Sequence, residues 1–311
     1  MTAAGVIAND LTATPSSVAS EFQQKKSFGL QTYSLTVRNG QEFSDDIPGG
    51  LKRVAQMGYT FLELAGYSAN EGGRIGRLPM AEFKKHADGA GLKIVSSHVG
   101  PAEGSLHTRA NLQAHLDHWK RAAEHHAAIG CKYMLQPGQP VTRNVSEVEL
   151  VGDHYNKIGE VVKTTGVQFG FHNHSGEFQS VVPGGQIALP LLGYPYGRQP
   201  ENAKIIMDIL LEQFDPSLVV FELDVYWCVM GRQDPVAWIK KYPKHIKVLH
   251  IKDVSVFGES GMMNFQKIFE TAYQTGVTEF IVELEGMPSG GTQFEGVKGC
   301  ADYLLKAPFV K

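Results

Sequence analysis

The sequence predicts a (β/α)8 TIM barrel, a single domain with a long loop after its fifth strand. Three observations lead there. Eight short runs rich in β-branched and aromatic residues alternate with eight longer amphipathic segments across 311 residues, the order that a parallel α/β fold requires. Glycines suited to a helix C-terminus stand before several of those runs, at Gly58, Gly91, Gly130, Gly166 and Gly276. No GxGxxG follows a strand, and the first run leads into Thr36-Val37-Arg38 rather than a phosphate loop, which sets a doubly wound open sheet behind a closed barrel.

The elements follow in order. Strand one (28–35) leads to a helix over 45–57, closed by Gly58 before strand two (59–65). A helix over 80–90 ends at Gly91 before strand three (92–98), and one over 108–129 ends at Gly130 before strand four (133–137). A helix over 145–164 ends near Gly166 before strand five (167–174). The loop 175–200 then carries Phe178, Tyr194, Tyr196 and several prolines and glycines; loops of this length inside a compact domain are usually lids or binding loops. A helix over 203–213, strand six (219–226), a helix over 234–241, strand seven (246–251), a helix over 264–274, strand eight (279–285) and a helix over 295–305 complete the alternation. Residues 1–27 read as a flexible N-terminal extension and 28–311 as the barrel.

Composition excludes several functions. Lys and Arg total 29 against 32 Asp and Glu, a formal charge of −3, and basic residues occur at most as pairs such as Lys25-Lys26 and Lys240-Lys241. Nothing there would follow a phosphate backbone, so nucleic acid is not an expected partner. Cys131, Cys228 and Cys300 lie far apart without CxxC spacing and read as free buried thiols. No apolar run reaches the length of a membrane span. The small, polar N-terminus lacks a basic start and a signal core, so a cytoplasmic location is expected, with a periplasmic one the alternative if it is a trimmed export signal. A homo-oligomer is compatible with all of this.

The chemistry gathers at the strand ends. Alternate residues of a barrel strand face the interior, where bulky apolar side chains normally fill the space. Here polar residues recur there: Glu63 in FLELA, Ser96 and His98 in IVSSHV, and His172 and His174 in FGFHNHSGEF. Glu222, Asp224 and Tyr226 follow in VVFELDVYW, His250 and Lys252 in VLHIKD, and Glu283 and Glu285 in FIVELEG, with Gln136 on strand four a weaker signal. A single histidine beside an apolar strand is more often a hydrogen-bonded core residue than a ligand. Six strand ends offering carboxylates or imidazoles together are different, because burying so many charges is costly unless they are paired or hold a cation. One divalent metal is the simplest explanation. Imidazole with carboxylate and no thiolate suits Mn, Co, Zn or Fe, with Mg less suited and Ca disfavoured.

FHNHSGEF, ELDVYW, HIKD and IVELEG, in that order on successive strands, resemble the sugar phosphate isomerase/epimerase superfamily, the xylose isomerase-like TIM barrels. The resemblance covers about residues 28 to 306 and implies the superfamily more strongly than any one reaction. It implies a metal held from strands five to eight, which carries over to His172, Asp224, His250 and Glu283. Relatives commonly have a glutamate where this chain has His172, and a histidine where it has Trp227. The first departure puts a mechanism with two opposed glutamates in question.

The resulting expectation is an isomerase or epimerase acting on a small sugar or keto sugar by proton abstraction next to a carbonyl. Glu283 or Glu285 would be the base and His174 the acid or second base. Glu63, His98 and Lys252 would hold substrate hydroxyls, Tyr226 and Trp227 would form a wall against a sugar face, and Asp253 could orient His250 or bind Lys252. Glycine-containing turns at 258–261 and 289–292 could take a phosphate. The alternatives are a metal-dependent lyase or hydrolase of a keto-glycoside on the same scaffold, for which His172 and the long loop speak, and a barrel that binds sugar without converting it. Phosphodiester cleavage, as in endonuclease IV of the same superfamily, is disfavoured by the absence of a basic groove.

Overall fold

The fold was obtained as a computed structural model, which describes residues 26–37, 40–104, 108–138, 142, 144–183, 201–286 and 291–311. Eight parallel strands close into a barrel, each paired with its neighbours in sequence and the first with the last. Strands one to eight are Gly29–Gln31, Phe61–Leu64, Lys93–His98, Tyr133–Pro137, Gln168–His172, Val219–Asp224, Ile246–Ile251 and Glu279–Val282.

The eight expected helices form as Ile47–Gln56, Met80–Gly89, Leu112–Ala128, Val145–Lys163, Ile206–Gln213, Pro235–Lys241, Phe265–Thr275 and Gln293–Lys306. Their apolar faces join the outward strand faces in one continuous core. Inside the barrel a separate apolar plug of Phe61, Tyr133, Leu135, Val220, Val248 and Ile281 fills the lower layer. A Cβ on Gly29 would come within 2.3 Å of the Phe61 ring, so glycine on strand one makes room for that plug. Strand side chains alternate, so the residue two positions beyond a plug residue faces the same interior one layer higher. Phe61 thus leads to Glu63, Val220 to Glu222 and Asp224, Val248 to His250 and Lys252, and Ile281 to Glu283 and Glu285. Apolar below and ionisable above is the pattern that places the site at the C-terminal end.

Four strand ends differ from expectation. Strand one stops at Gln31 and residues Tyr33–Thr36 form a helical turn; strands five and eight stop at His172 and Val282. Strand six stops at Asp224, whose Oδ1 accepts the Trp227 N–H at 2.8 Å and caps the helix Val225–Met230. Val225, Tyr226 and Trp227 look like strand residues, but an aspartate supplying the N-cap decides the conformation. A short helix, Gln41–Asp45, and two small antiparallel sheets were also not anticipated: Tyr67–Ser68 with Arg74–Ile75 and Leu78–Pro79, and Ser180–Val181 with Lys204–Ile205. The latter pair ties down both ends of the loop after strand five, of which 184–200, with Tyr194 and Tyr196, lie outside the described residues. Most of the N-terminal extension also lies outside them; Lys26 donates to the Leu304 and Leu305 carbonyls at 3.1 and 2.9 Å. All three cysteines are free and buried. Among the described residues no helix is long and apolar enough to cross a membrane.

Candidate active site

A cavity of about 530 Å³ opens at the C-terminal end of the barrel. Tyr33, Tyr67 and Pro137 line it on the side of strands one to four, and His174, Trp227, Glu283 and Glu285 on the side of strands five to eight, with His98 and His172 deeper. Its floor carries the ionisable layer.

Four residues converge there from four successive strands. His172 Nε2 lies 3.9 Å from Asp224 Oδ2, His250 Nδ1 lies 3.8 Å from the same oxygen, and His250 Nδ1 lies 3.5 Å from Glu283 Oε2. All four donor atoms fall within 4.8 Å of one another. These spacings are too long for hydrogen bonds, but they suit ligands sharing one ion: two donors each about 2.1 Å from a metal sit about 3–4.2 Å apart. Asp224 Oδ2 and His250 Nδ1 are fully buried and have no hydrogen-bond partner, which a native interior rarely tolerates without an ion or water. The donor set therefore fits a divalent cation.

A second set of contacts is shorter and of hydrogen-bond character. Glu63 Oε1 lies 2.6 Å from His250 Nε2 and 3.1 Å from His98 Nε2, and accepts from Gln31 Nε2 at 2.7 Å. Its other oxygen accepts from Ser96. Glu222 Oε2 lies 3.0 Å from His98 Nε2 and 3.1 Å from His172 Nδ1. Asn173 accepts from the Asp224 backbone N–H at 2.9 Å and fixes strand five to strand six beneath the quartet.

The electrostatics are those of a crowded buried cluster. Burial pushes Asp224 up to about 7, with Lys252 and His250 opposing. Burial and then the charge of Glu63 push Glu222 up to about 7. Burial works against a charged His98, yet Glu63 and Glu222 raise it to about 10. His250 is likewise raised well above its usual value against burial, by Glu222 and Glu63, while burial followed by the charges of His250 and His98 holds His172 well below it. Burial would raise Glu283, but His250 and Lys252 override it and keep it strongly acidic. Lys252 Nζ bonds Glu283 Oε2 at 2.8 Å and Glu285 Oε1, and stands 5.1 Å from the centre of the Trp227 ring.

His172, Asp224, His250 and Glu283 are thus brought together, and His98, His174, Trp227 and Glu285 reach the cavity. Four side chains stand elsewhere than the sequence suggested. Glu63 is fully buried with both oxygens committed to protein donors, so it braces histidines rather than facing substrate. Lys252 is 2% exposed and spent on two glutamates. Tyr226 does not line the cavity, because helix, not strand, follows Asp224, though its ring centre stands 6.0 Å from Lys252 Nζ. Asp253 reaches neither Lys252 nor His250: it accepts from the Val254 and Gly258 N–H groups at 2.7 and 3.2 Å and from Ser260, using a backbone donor that a phosphate at 258–261 would need. Ser289 and Gly290 lie outside the described residues. Tyr33 and Tyr67 also line the cavity, Tyr33 from a helical turn where the sequence reads as strand and Tyr67 from a small antiparallel sheet that the sequence does not signal; Gln31 and Ser96 join the site through Glu63.

The defining pattern of the xylose isomerase-like TIM barrel matches residues 51–301. Two crystal structures of sugar phosphate isomerase/epimerase proteins from Parabacteroides distasonis are similar. One shares 45% identity with a TM-score of 0.82 over 92% of this chain and all of that one. The other shares 43% with a TM-score of 0.84 over 96% of this chain and all of that one. An inosose dehydratase from Geobacillus kaustophilus is 25% identical over 228 residues, 68% of this chain, and the chain spans just 66% of that relative's length. With the closed barrel and the ordered strand-end motifs already established, the chain belongs to the xylose isomerase-like TIM barrel family.

Proposed function

We propose that the chain is a divalent-metal-dependent isomerase or epimerase of a small sugar or keto sugar, acting by proton transfer at the carbon next to a carbonyl. The observation that carries the reading is the quartet His172, Asp224, His250 and Glu283, with two buried unpartnered atoms, at the floor of a sugar-sized cavity. Its imidazole and carboxylate donors suit Mn, Co, Zn or Fe. When bound, such an ion supplies Lewis acidity beside the reacting carbonyl.

The protein's own residues do the rest. Burial, then the charge of Lys252, holds His174 below the usual histidine value, so its imidazole is neutral at neutral pH and able to accept a proton from substrate. It lines the cavity together with Glu285, the second proton-transfer group, whose Oε1 is hydrogen-bonded to Lys252. Glu283, kept ionised by His250 and Lys252, serves as ligand rather than base. Trp227, with its ring 5.5 Å from that of His174, offers an apolar face against which a sugar ring stacks and which excludes water.

Elimination is the second reading: the same proton is removed, but a hydroxyl or alkoxide leaves from the next carbon. Similarity to an inosose dehydratase and the imidazole at His172 in place of a second carboxylate favour it. One experiment separates the readings. The Mn²⁺-loaded protein is incubated in D₂O with free keto sugars and keto-glycosides, followed by NMR. Deuterium uptake with a new stereoisomer supports isomerisation, uptake with loss of water or aglycone supports elimination, and no uptake by any substrate in the panel contradicts both.

A further inference from the structure

The site's two histidine ligands are each backed by a carboxylate, and that arrangement has a consequence for how the site holds an ion. It rests on the reading that the quartet binds a divalent cation. An ionised carboxylate can only accept hydrogen bonds. Glu222 Oε2, 3.1 Å from His172 Nδ1, therefore calls for the proton on Nδ1 and frees Nε2, the atom that faces Asp224. Glu63 Oε1, 2.6 Å from His250 Nε2, calls for the proton there and frees Nδ1, the atom that faces Asp224 and Glu283. The two rings present opposite nitrogens to one point, and each needs its own carboxylate behind it. His98 Nε2 stands 3.0 Å from Glu222 and 3.1 Å from Glu63, a bridge that offsets the repulsion between the two acids.

We propose that Glu222 and Glu63 are positioning residues that fix the ligating tautomers of His172 and His250, with His98 the bridge between the two carboxylates. Glu222 Oε2 stands directly behind His172 Nδ1 as Glu63 Oε1 stands behind His250 Nε2, each contact strengthening its imidazole as a donor. Partners of this kind typically change metal affinity 10–100-fold when removed.

The test uses the full chain, stripped with chelator and titrated with Mn²⁺ or Co²⁺ against a competing indicator. Far-UV circular dichroism and thermal melts verify folding of each variant. Glu222→Gln keeps the size but loses the charge, and its amide can donate as well as accept. It is expected to bind about 10–100-fold more weakly than wild type at one site per chain, with a changed Co²⁺ absorption spectrum. Returning a carboxylate in the double variant Glu222→Gln/His172→Glu is expected to recover most of that loss, which a merely structural role for Glu222 would not allow. Glu63→Gln is expected to weaken binding similarly. Affinity within twofold of wild type and an unchanged spectrum in Glu222→Gln would overturn the inference while leaving the metal site intact. Two ions per wild-type chain, with one lost in Glu222→Gln, would overturn it by making Glu222 a ligand. No binding by wild type would overturn the metal reading and this inference together.

Discussion

Replacing Lys252 by Met isolates the electrostatics of the cavity floor. Met keeps the length and apolar bulk of the stem but removes the ammonium that joins Glu283 and Glu285. Leaving a buried partner without its counter-charge costs about 3–5 kcal/mol. Glu283 is 5% exposed and pays nearly in full, whereas Glu285 at 35% is screened by solvent, so the lower end, about 3 kcal/mol, applies. An unfolding entropy of about 2 cal/mol/K per residue, summed over the chain, gives about 0.65 kcal/mol/K, so the metal-free variant should melt about 5 °C below wild type. A divalent ion held by Glu283 restores a positive charge beside it, so saturating Mn²⁺ should narrow the gap between variant and wild type. Melting curves in chelator and in excess Mn²⁺ measure both. A variant within 1 °C of wild type in chelator, or a gap that metal leaves unchanged, would refute the reasoning.

Other consequences are as direct. His126 is fully buried and lowered to about 4, by burial first, while its Nδ1 lies 2.7 Å from the Ala122 carbonyl. Its folded value is below the unfolded one near 6.5, so the unfolded chain takes up the proton first. Stability present above about pH 6.5 is therefore lost as pH falls toward 4, by up to about 3 kcal/mol. Denaturant titrations of wild type and His126→Leu between pH 4 and 7 should show that extra slope only in wild type. Gly138 has φ +82°, and a Cβ there would lie 3.3 Å from His174 Nδ1. Gly138→Ala should lower kcat at least tenfold by displacing His174, with metal content unchanged; full activity would remove His174 from the proton-transfer role. Trp227→Ala should raise KM more than it lowers kcat, read from steady-state kinetics on whichever keto sugar exchanges deuterium.

The barrel was legible because its two periods are simple. Alternation by two separates the plug residue Phe61 from Glu63 and Val248 from His250, and the glycines at 58, 91, 130, 166 and 276 all adopt positive φ, as helix ends require. His172, Asp224, His250 and Glu283 could be singled out because ionisable residues at interior positions have few physical explanations. What the residues alone did not disclose were the places where one hydrogen bond outweighs propensity. Asp224 caps a helix where Val225 and Tyr226 read as strand, and that cap takes Tyr226 out of the strand's alternation. The inward direction of Glu63 was readable, but not that Gln31, Ser96, His98 and His250 converge on it. Those partners come from three other strands, and only barrel closure brings them together.

Metal content of the untagged protein, measured by mass spectrometry beside a His250→Ala variant, tests the central claim most directly. The account predicts about one Mn, Co, Fe or Zn per wild-type chain, with most of it lost in the variant while the fold is retained. Wild-type protein that stays empty after incubation with each ion, or a variant that keeps its metal, would contradict it.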